Sequence, residues 1–449
     1  DVERSRGLGD VYKRQLKNRG IPYNVTFERK NGNLQMYIEV PNDKKYVEFI
    51  ENVVPMVTSS ISLRKAPTPL NIKSEDVELI KKVIKKEDET DLTKIISAGM
   101  DYDYTVKNGI LLGRLIPNGD EELYIRIEEL TRHMAIFGAT GSGKTTTASS
   151  LSCKIAKLGI PVIILDWHNE YDHIIHYEHK RVYTPGADKN PLIINPFPDP
   201  DYNDISETVS ILEESLNLTQ PQAFYLEDAI RKAIESGGVL TIENVRRFLE
   251  YRFDDSYAGR EARIALLRKL SILTIGATKC MFDVNETLKP FEPGSINIVE
   301  LGHIKSLQLR RIYSLILLKK LFRMYERMGI SNNVRIVIVI DEAQNVLGMS
   351  EDNVAAKMLS EVRKYGVGMI VISQSPSSIS TQVLKNCGTK IIHSLRSNID
   401  LKVIEDSTSL EKSQVKMIPY LKRGEAVVIL PDNPIPYFIK VDVKSLKLM

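Results

Sequence analysis

Cysteine is scarce in this chain, with 3 in 449 residues. Cys153, Cys280 and Cys387 lie far apart with no Cys-x-x-Cys spacing, which excludes a disulfide framework or a zinc knuckle and suits a reducing cytosol. Long apolar runs are missing too. No stretch reaches the roughly 18 consecutive apolar residues a membrane helix needs. The longest candidates are strand-like pieces such as Ile336–Ile340, so any membrane role would pass through partners. Nor does one charge dominate: the net charge is +3 with 27% charged residues. A nucleic-acid partner would therefore be met by a local basic surface and not by the whole molecule. An initiating Met is also lacking, and Ser5–Gln15 reads like the translated end of a sequencing adapter. Residues 1–15 are set aside from fold reasoning, and the native sequence is expected to begin near Leu16.

The remainder is of ordinary globular composition, 43% hydrophobic, and too long for one core, so two or three domains are expected. Residues 16–105 read as a small α+β domain. Tyr23–Lys30 alternates, Asn31-Gly32 is a turn signal and Leu34–Val40 alternates again, the pattern of a β-hairpin. Helices are expected at Lys44–Val54 and at Ser74–Lys86, the second a charged, solvated face. Residues 106–449 change to β-branched strands alternating with helices, which predicts an α/β, doubly wound, mostly parallel sheet. The expected strands are His133–Phe137, Val162–Asp166, Ile296–Leu301, Arg335–Asp341, Met369–Gln374, Lys390–Leu395, Glu425–Leu430 and Tyr437–Val441. Between about 200 and 290 apolar residues recur at helical spacing in Leu226–Ile234, Ile242–Tyr251 and Glu261–Leu273, which predicts an all-helical insertion.

The chemistry centres on Ile136-Phe-Gly-Ala-Thr-Gly-Ser-Gly-Lys-Thr-Thr-Thr147. Gly138 to Thr145 fit G-x-x-x-x-G-K-[ST] between an apolar strand and a helix-compatible segment, the context of a phosphate-binding loop. Gly138, Gly141 and Gly143 let the chain curl, and the backbone of Gly138, Ala139, Thr140, Gly141, Ser142, Gly143, Lys144, Thr145 and Thr146 is expected to cradle ATP. Lys144 would hold the β- and γ-phosphates, and Thr145 would ligate Mg²⁺. Arg335–Ile340 followed by Asp341 and Glu342 is a buried strand ending in two carboxylates. Asp341 would serve the metal and Glu342 would deprotonate the attacking water. The plain structural alternative is a helix N-cap pair.

Other strands end in polar groups that an open α/β sheet would bring to the same crevice. Gln374 would sense the γ-phosphate or position water, or else sit in a turn. Asp166 and Glu170 end the adjacent strand, Glu170 with either a chemical role or a capping one. His168 has no second His or Cys at ligand spacing, which argues for a structural place. A P-loop site completed by a neighbouring subunit needs a guanidinium, and Arg363 and Arg396 compete for that role.

These pieces in this order resemble the HerA/FtsK superfamily of hexameric DNA-pumping ATPases, in particular its HerA-type domain, from about Val106 to Val443. The residues that carry the resemblance are Ile136–Thr145, Ile164-Leu-Asp-Trp-His-Asn-Glu-Tyr171, Ile340-Asp-Glu-Ala-Gln344, Ser360–Pro376 and Leu384–Ile392. The resemblance implies a RecA-like fold, Lys144, Asp341, Glu342 and Gln374 as nucleotide-handling residues, and Arg363 near a subunit boundary. It also implies a homo-hexameric ring acting on DNA, double-stranded by expectation, with a nuclease or envelope secretion components as further partners. The amino-terminal region departs from the β-barrel usual in HerA proteins and is more like that of ATPases driving conjugation or DNA import.

Three functions remain open at this level: a DNA translocase, a conjugation-, secretion- or pilus-type ATPase, and a non-motor ATP switch that assembles partners. A translocase needs cations for the phosphate backbone. The insertion offers Arg246, Arg247, Arg252, Arg260, Arg263, Arg268 and Lys269, and the helix Lys305–Arg327 offers Arg310, Arg311, Lys319, Lys320 and Arg323. Acidic neighbours such as Glu243, Glu250 and Glu261 make ordinary solvated faces the competing explanation. The loop Leu347–Asn353 is acidic through Glu351 and Asp352, which counts against it as a DNA contact.

Overall fold

A computed structural model describes residues 24–30, 33–39, 109–116, 121–197, 205–237, 240–251, 256–274, 279–282, 288–348 and 359–446. The expected helices Lys44–Val54 and Ser74–Lys86, the boundary near 105, Arg252 and the acidic pair Glu351–Asp352 lie outside them. The expected hairpin forms from β1 (Asn24–Lys30) and β2 (Asn33–Glu39), antiparallel with Phe27 opposite Met36.

The rest is built on one 11-stranded sheet. Its centre is β5 (Met134–Phe137), β6 (Val162–Asp166), β8 (Ile296–Glu300), β9 (Ile336–Ile340), β10 (Val367–Ser373) and β11 (Thr389–Ile392). These strands are uninterrupted runs of Val, Ile and neighbours with every residue buried, as expected when helices cover both faces of parallel strands. β7 (Lys180–Tyr183) extends the parallel half at one edge. Beyond β11 the sheet turns antiparallel through β12 (Glu425–Leu430), β13 (Asn433–Val441), β3 (Ile110–Leu115) and β4 (Glu122–Ile125). The sequence pattern did not disclose β3, β4 and β7. β7 is a four-residue, half-buried edge strand, and β3 is broken by a register shift between Leu111 and Gly113, so neither carries a full alternation.

The longer helices start at recognisable caps. α1 (Lys144–Lys157) begins at Gly143, which has φ 113°. The insertion between β7 and β8 contains α2 (Ile205–Leu216), α3 (Gln220–Glu235), α4 (Ile242–Glu250) and α5 (Tyr257–Ser271), with no strand among its described residues. Thr241 Oγ1 accepts from Asn244 N at 3.2 Å and Ser256 Oγ from Gly259 N at 3.0 Å, which starts α4 and α5 at defined residues. Leu226, Ile230, Val245, Leu249, Leu266 and Leu270 bury one face of each helix and join the core beneath the sheet.

α6 (Leu307–Arg327) is the helix for which sequence reading left two outcomes open. Its cations are turned to partners within the chain. Arg311 pairs with Glu214 at 2.5 Å and Arg323 with Glu207 at 2.7 Å. Lys319, only 3% exposed, reaches Thr208 Oγ1 at 2.7 Å, and Lys320 donates to the Phe197 carbonyl at 2.6 Å. Arg310 donates to the carbonyls of Ile304, Trp167 and Gly302 at 2.5, 3.1 and 3.0 Å. The helix therefore locks the insertion to the sheet, and its basic residues do not form a comb for a phosphate backbone. In the insertion Arg246 pairs with Glu250, Arg263 donates to the Leu249 carbonyl and Lys269 to the Asn217 carbonyl, whereas Arg247, Arg260 and Arg268 are exposed.

Arg310→Ala is expected to lower stability by ~2–3 kcal/mol, because three carbonyls lose a charged donor. A urea titration measures this. If Arg310 instead served DNA, the substitution would leave unfolding unchanged and reduce the salt dependence of DNA binding.

Candidate functional site

Strand pairing brings the motif residues to one edge of the sheet. β10 lies between β5 and β9, all parallel, with Ile372 beside Ile136 and Val371 beside Ile340. The phosphate-loop sequence leaves the carboxyl end of β5, Gln374 leaves β10, and Asp341 and Glu342 leave β9. β6, on the far side of β9, brings Asp166 and the loop to Glu170.

The loop itself has no room for side chains at its first glycine. A Cβ on Gly138 would fall 2.5 Å from Ser142 Oγ and 2.7 Å from the Cβ of His393. Ala139 N donates to the Ser394 carbonyl at 2.8 Å, and Gly424 N to the Ser142 carbonyl at 3.1 Å, so the loop is anchored to the segments after β11 and before β12. His393 completes that anchorage. Its Nδ1 contacts the Glu425 carbonyl at 2.8 Å and its Nε2 contacts Thr147 Oγ1 at 3.0 Å. A carbonyl only accepts, so Nδ1 carries the proton and Thr147 donates to Nε2. Burial, only partly offset by the Glu425 bond, brings the His393 pKa down to about 4 and keeps the ring neutral.

Lys144 is 8% exposed and its Nζ donates to the Ala139 carbonyl at 3.1 Å. Burial pulls its pKa below the ordinary ammonium value, against the pull of Glu342, Asp341 and Glu170. Ser142 Oγ is buried with no hydrogen-bond partner, an orphan that a phosphate oxygen would satisfy. Thr145 Oγ1 lies 3.4 Å from Glu170 Oε2, Thr146 is half-buried beside it, and Gly141 is exposed at φ 78°.

The carboxylates crowd. Burial first, then Glu342 and Asp166, raise the Asp341 pKa to about 8. Such uncompensated buried negative charge is what a divalent cation relieves. Mg²⁺ is an ion held by one or two protein oxygens plus substrate phosphates. Thr145 and Asp341 are the residues whose donors suit it. Asp166 instead accepts from His168 N at 3.1 Å and Tyr171 N at 2.9 Å, fixing the loop that carries Glu170. Glu170 makes no capping bond on the short helix Tyr171–Ile174.

Glu342 adopts φ 44° and ψ 48°, a left-handed backbone unusual for a side chain of its size, while remaining 8% exposed. One carboxylate oxygen accepts from Gln374 Nε2 at 2.5 Å and the other from Gln344 Nε2. His168 Nε2 is 3.8 Å away and its side chain is half exposed. The amide oxygens are held in turn, Gln374 Oε1 by Thr140 Oγ1 at 2.7 Å and Gln344 Oε1 by Ser373 Oγ at 2.9 Å. Gln344, Ser373 and His393 escaped sequence reasoning. Gln344 was discoverable, standing two residues beyond Glu342 in the quoted Ile340–Gln344 segment. His393 had no signal before its strand partners were known.

The two arginines part company. Arg396 is exposed just past β11, on the same edge as the phosphate loop. Arg363 is exposed at the start of the 3-10 turn Arg363–Tyr365, before β10, and so at the opposite edge. There it lines a cavity of about 800 Å³ with Arg126, Arg132, Glu361, Lys364 and Asp432. A strand of seven residues separates it from Gln374, roughly 20 Å at ~3.3 Å per residue. Arg363 is therefore remote from its own chain's Lys144.

Residues 110–321 match the family model for the central domain of helicase HerA, and residues 259–428 match the HerA-like C-terminal model. The DNA double-strand break repair helicase HerA of Sulfurisphaera tokodaii is 28% identical over 371 residues, 78% of this chain and 71% of that protein. VirB4 of Thermoanaerobacter pseudethanolicus superimposes with a TM-score of 0.60 at 19% identity, over 75% of this chain and 97% of that one. The plasmid coupling protein TrwB in complex with ADP and Mg²⁺ gives 0.56 at 15% identity, over 72% and 88%. No helix among the described residues is long and apolar enough to cross a membrane, and Cys153 and Cys387 are buried free thiols.

The buried histidines should make stability fall as pH drops from about 6.5 toward 4, while Asp341, raised to about 8, works the other way over the same window. His133 and His393 are both held neutral near 4 by burial, whereas unfolded histidines protonate near 6.5, so the unfolded chain takes up protons that the folded one refuses. Their contribution is complete above 6.5 and is lost through that window. Urea unfolding at stepped pH would read this, and His393→Leu should flatten the slope.

Proposed function

The chain belongs to the HerA family of P-loop ATPases and is an ATP hydrolase; from that premise we propose that it couples hydrolysis to the movement of double-stranded DNA as a hexameric ring. The observation that carries the reading is Glu342, a buried carboxylate in a strained conformation, held by Gln374 at 2.5 Å above the phosphate loop. A protein that only binds ATP has no need of such a base. The DNA part rests on family membership and on the relative whose name specifies DNA double-strand break repair.

In this reading the backbone from Gly138 to Thr146 receives the phosphates and Lys144 exchanges the Ala139 carbonyl for the β- and γ-phosphate oxygens. Thr145 and Asp341 would hold Mg²⁺, which would supply countercharge to the phosphates. Glu342 takes the proton of the attacking water, and Gln374 aligns that water against the γ-phosphorus. Arg363 answers the neighbouring subunit's γ-phosphate, a role supported by its distance from its own Lys144. Arg396, on its own chain's nucleotide edge, is the weaker candidate. The DNA contacts fall to surfaces other than α6, whose cations are engaged within the chain.

A conjugation- or secretion-type ATPase moving DNA or protein at the envelope is the second reading, favoured by the fold shared with VirB4 and TrwB. Turnover measured with and without double-stranded DNA separates a motor that moves DNA from one that moves protein. Stimulation supports DNA as the moved substrate, and indifference to DNA favours protein. Lys144→Ala should abolish tight ATP binding. Glu342→Gln should keep binding and lose turnover by about 10²-fold or more, as for removal of a general base.

The ring makes a complementation test possible. Arg363→Ala subunits keep their own phosphate loop, and Lys144→Ala subunits keep their arginine, so mixed rings should recover part of the activity that neither variant has alone. Loss of one transition-state arginine is worth ~10³ in rate, enough for recovery to be plain. Recovery only when Arg396→Ala replaces Arg363→Ala would transfer the role to Arg396.

A further inference from the structure

Thr140 occupies a position of the phosphate-loop pattern that admits any residue, and its side chain is exposed. Its hydroxyl nevertheless begins a chain of bonds that ends on the base. Thr140 Oγ1 donates to Gln374 Oε1 at 2.7 Å, and Gln374 Nε2 donates to Glu342 Oε1 at 2.5 Å. A carboxylate only accepts, so Gln374 must turn its NH₂ toward Glu342 and its oxygen toward Thr140, and Thr140 must be a donor. The other oxygen of Glu342 takes a parallel arm, Gln344, whose amide oxygen accepts from Ser373 Oγ at 2.9 Å.

The two arms differ in what holds them. Ser373 is the last residue of β10, 1% exposed, and is fixed by the sheet. Thr140 stands on the loop that receives the nucleotide, with Gly141 after it. One side of the Glu342 carboxylate is thus tied to rigid scaffold and the other to the phosphate loop. Hydrogen-bonded relays of this kind polarise and orient their members together, and the αL backbone of Glu342 stores strain that the relay must hold.

We propose that Thr140 is a positioning residue, whose hydroxyl sets the Gln374 amide and through it aims Glu342 at the attacking water. The proposal rests on the reading of this edge as an ATPase site. It distinguishes Thr140 from the loop residues whose contribution is backbone alone. Without the hydroxyl, Gln374 Oε1 loses its donor, the amide is free to rotate, and Glu342 keeps only the Gln344 arm.

Three variants of the full chain test this: Thr140→Val, which keeps shape and removes the donor, Thr140→Ser, which restores it, and Thr140→Val combined with Gln374→Ala. Thr140→Val should lower kcat by about tenfold with the affinity for a fluorescent ADP analogue unchanged, since misaimed groups cost rate and not ground-state binding. Thr140→Ser should recover most of kcat. Combined with Gln374→Ala, the valine substitution should add no further loss, because both act through one relay. A loop-packing role would instead shift nucleotide affinity and add to Gln374→Ala. Hydrogen–deuterium exchange of the 340–346 peptide gives a readout that does not depend on turnover. Exchange there should rise in Thr140→Val and not in Thr140→Ser. Unchanged exchange, or a kcat within twofold of the parent, overturns the relay. An undiminished kcat in Lys144→Ala would instead remove the ATPase reading of this edge, with the exchange result still deciding the tether.

Discussion

Everything at the nucleotide edge depends on the parallel pairing of β5, β10 and β9. Parallel strands end together, and their register sets Phe137 beside Ser373 and Ile340 beside Val371. The residues that follow, the phosphate loop, Gln374 and the Asp341–Glu342 pair, therefore emerge within hydrogen-bond reach although Thr140 and Gln374 are 234 positions apart and Gln374 and Glu342 are 32. A slip of one residue in β10 would turn Ser373 and Gln374 to opposite faces. The Val- and Ile-rich strands resist that slip because both of their faces are buried and any shift would expose none and misfit all.

The site that results is electrostatically unfinished. Asp341, Glu342, Asp166 and Glu170 meet with Lys144 as the principal cation, and Asp341 is pushed up to about 8 by burial and its neighbours. Lys144 leans on a loop carbonyl, and Ser142 Oγ has no partner. Each of these features would be a defect in a purely structural cluster. Together they support the proposed reading of this edge as one that receives a metal-bearing polyphosphate. By contrast the pairs elsewhere, such as Lys154 with Asp442 or Arg311 with Glu214, are closed on themselves.

The supporting frame shows how much of the chain serves rigidity. Arg310 ties the segment after β8 to Trp167, and Asp166 fixes the turn that follows it. His393 joins the phosphate-loop helix to the antiparallel half of the sheet, neutral because it is buried. The loop is thus gripped on its His393 side and linked on its Thr140 side to Gln374. Charges that looked like a DNA-binding stripe belong to this frame. α6 passes through the interior, and long basic side chains on it reach outward only as far as the helices packed against it.

Local pattern was sufficient for the phosphate loop, for the strands Val162–Asp166 and Glu425–Leu430, which match to the residue, and for the helical insertion, because each is specified by contiguous chemistry. Glycine spacing permits a loop, β-branched runs favour a strand, and a 3.6-residue period favours a helix. The strands β3, β4 and β7 were beyond its reach, β4 and β7 as short half-buried edge segments with too little alternation and β3 because a register shift breaks it. Pattern also proposed Asp341, Glu342 and Gln374 as strand-end groups but had no means of giving their partners. That Glu342 lies between Gln374 and Gln344, that Thr140 reaches Gln374, that His393 underlies Gly138 and that Arg363 stands at the far edge from Lys144 are consequences of strand order. Strand order arises from the burial of the whole sheet between its helices, a property of the assembled chain and of no single stretch of it.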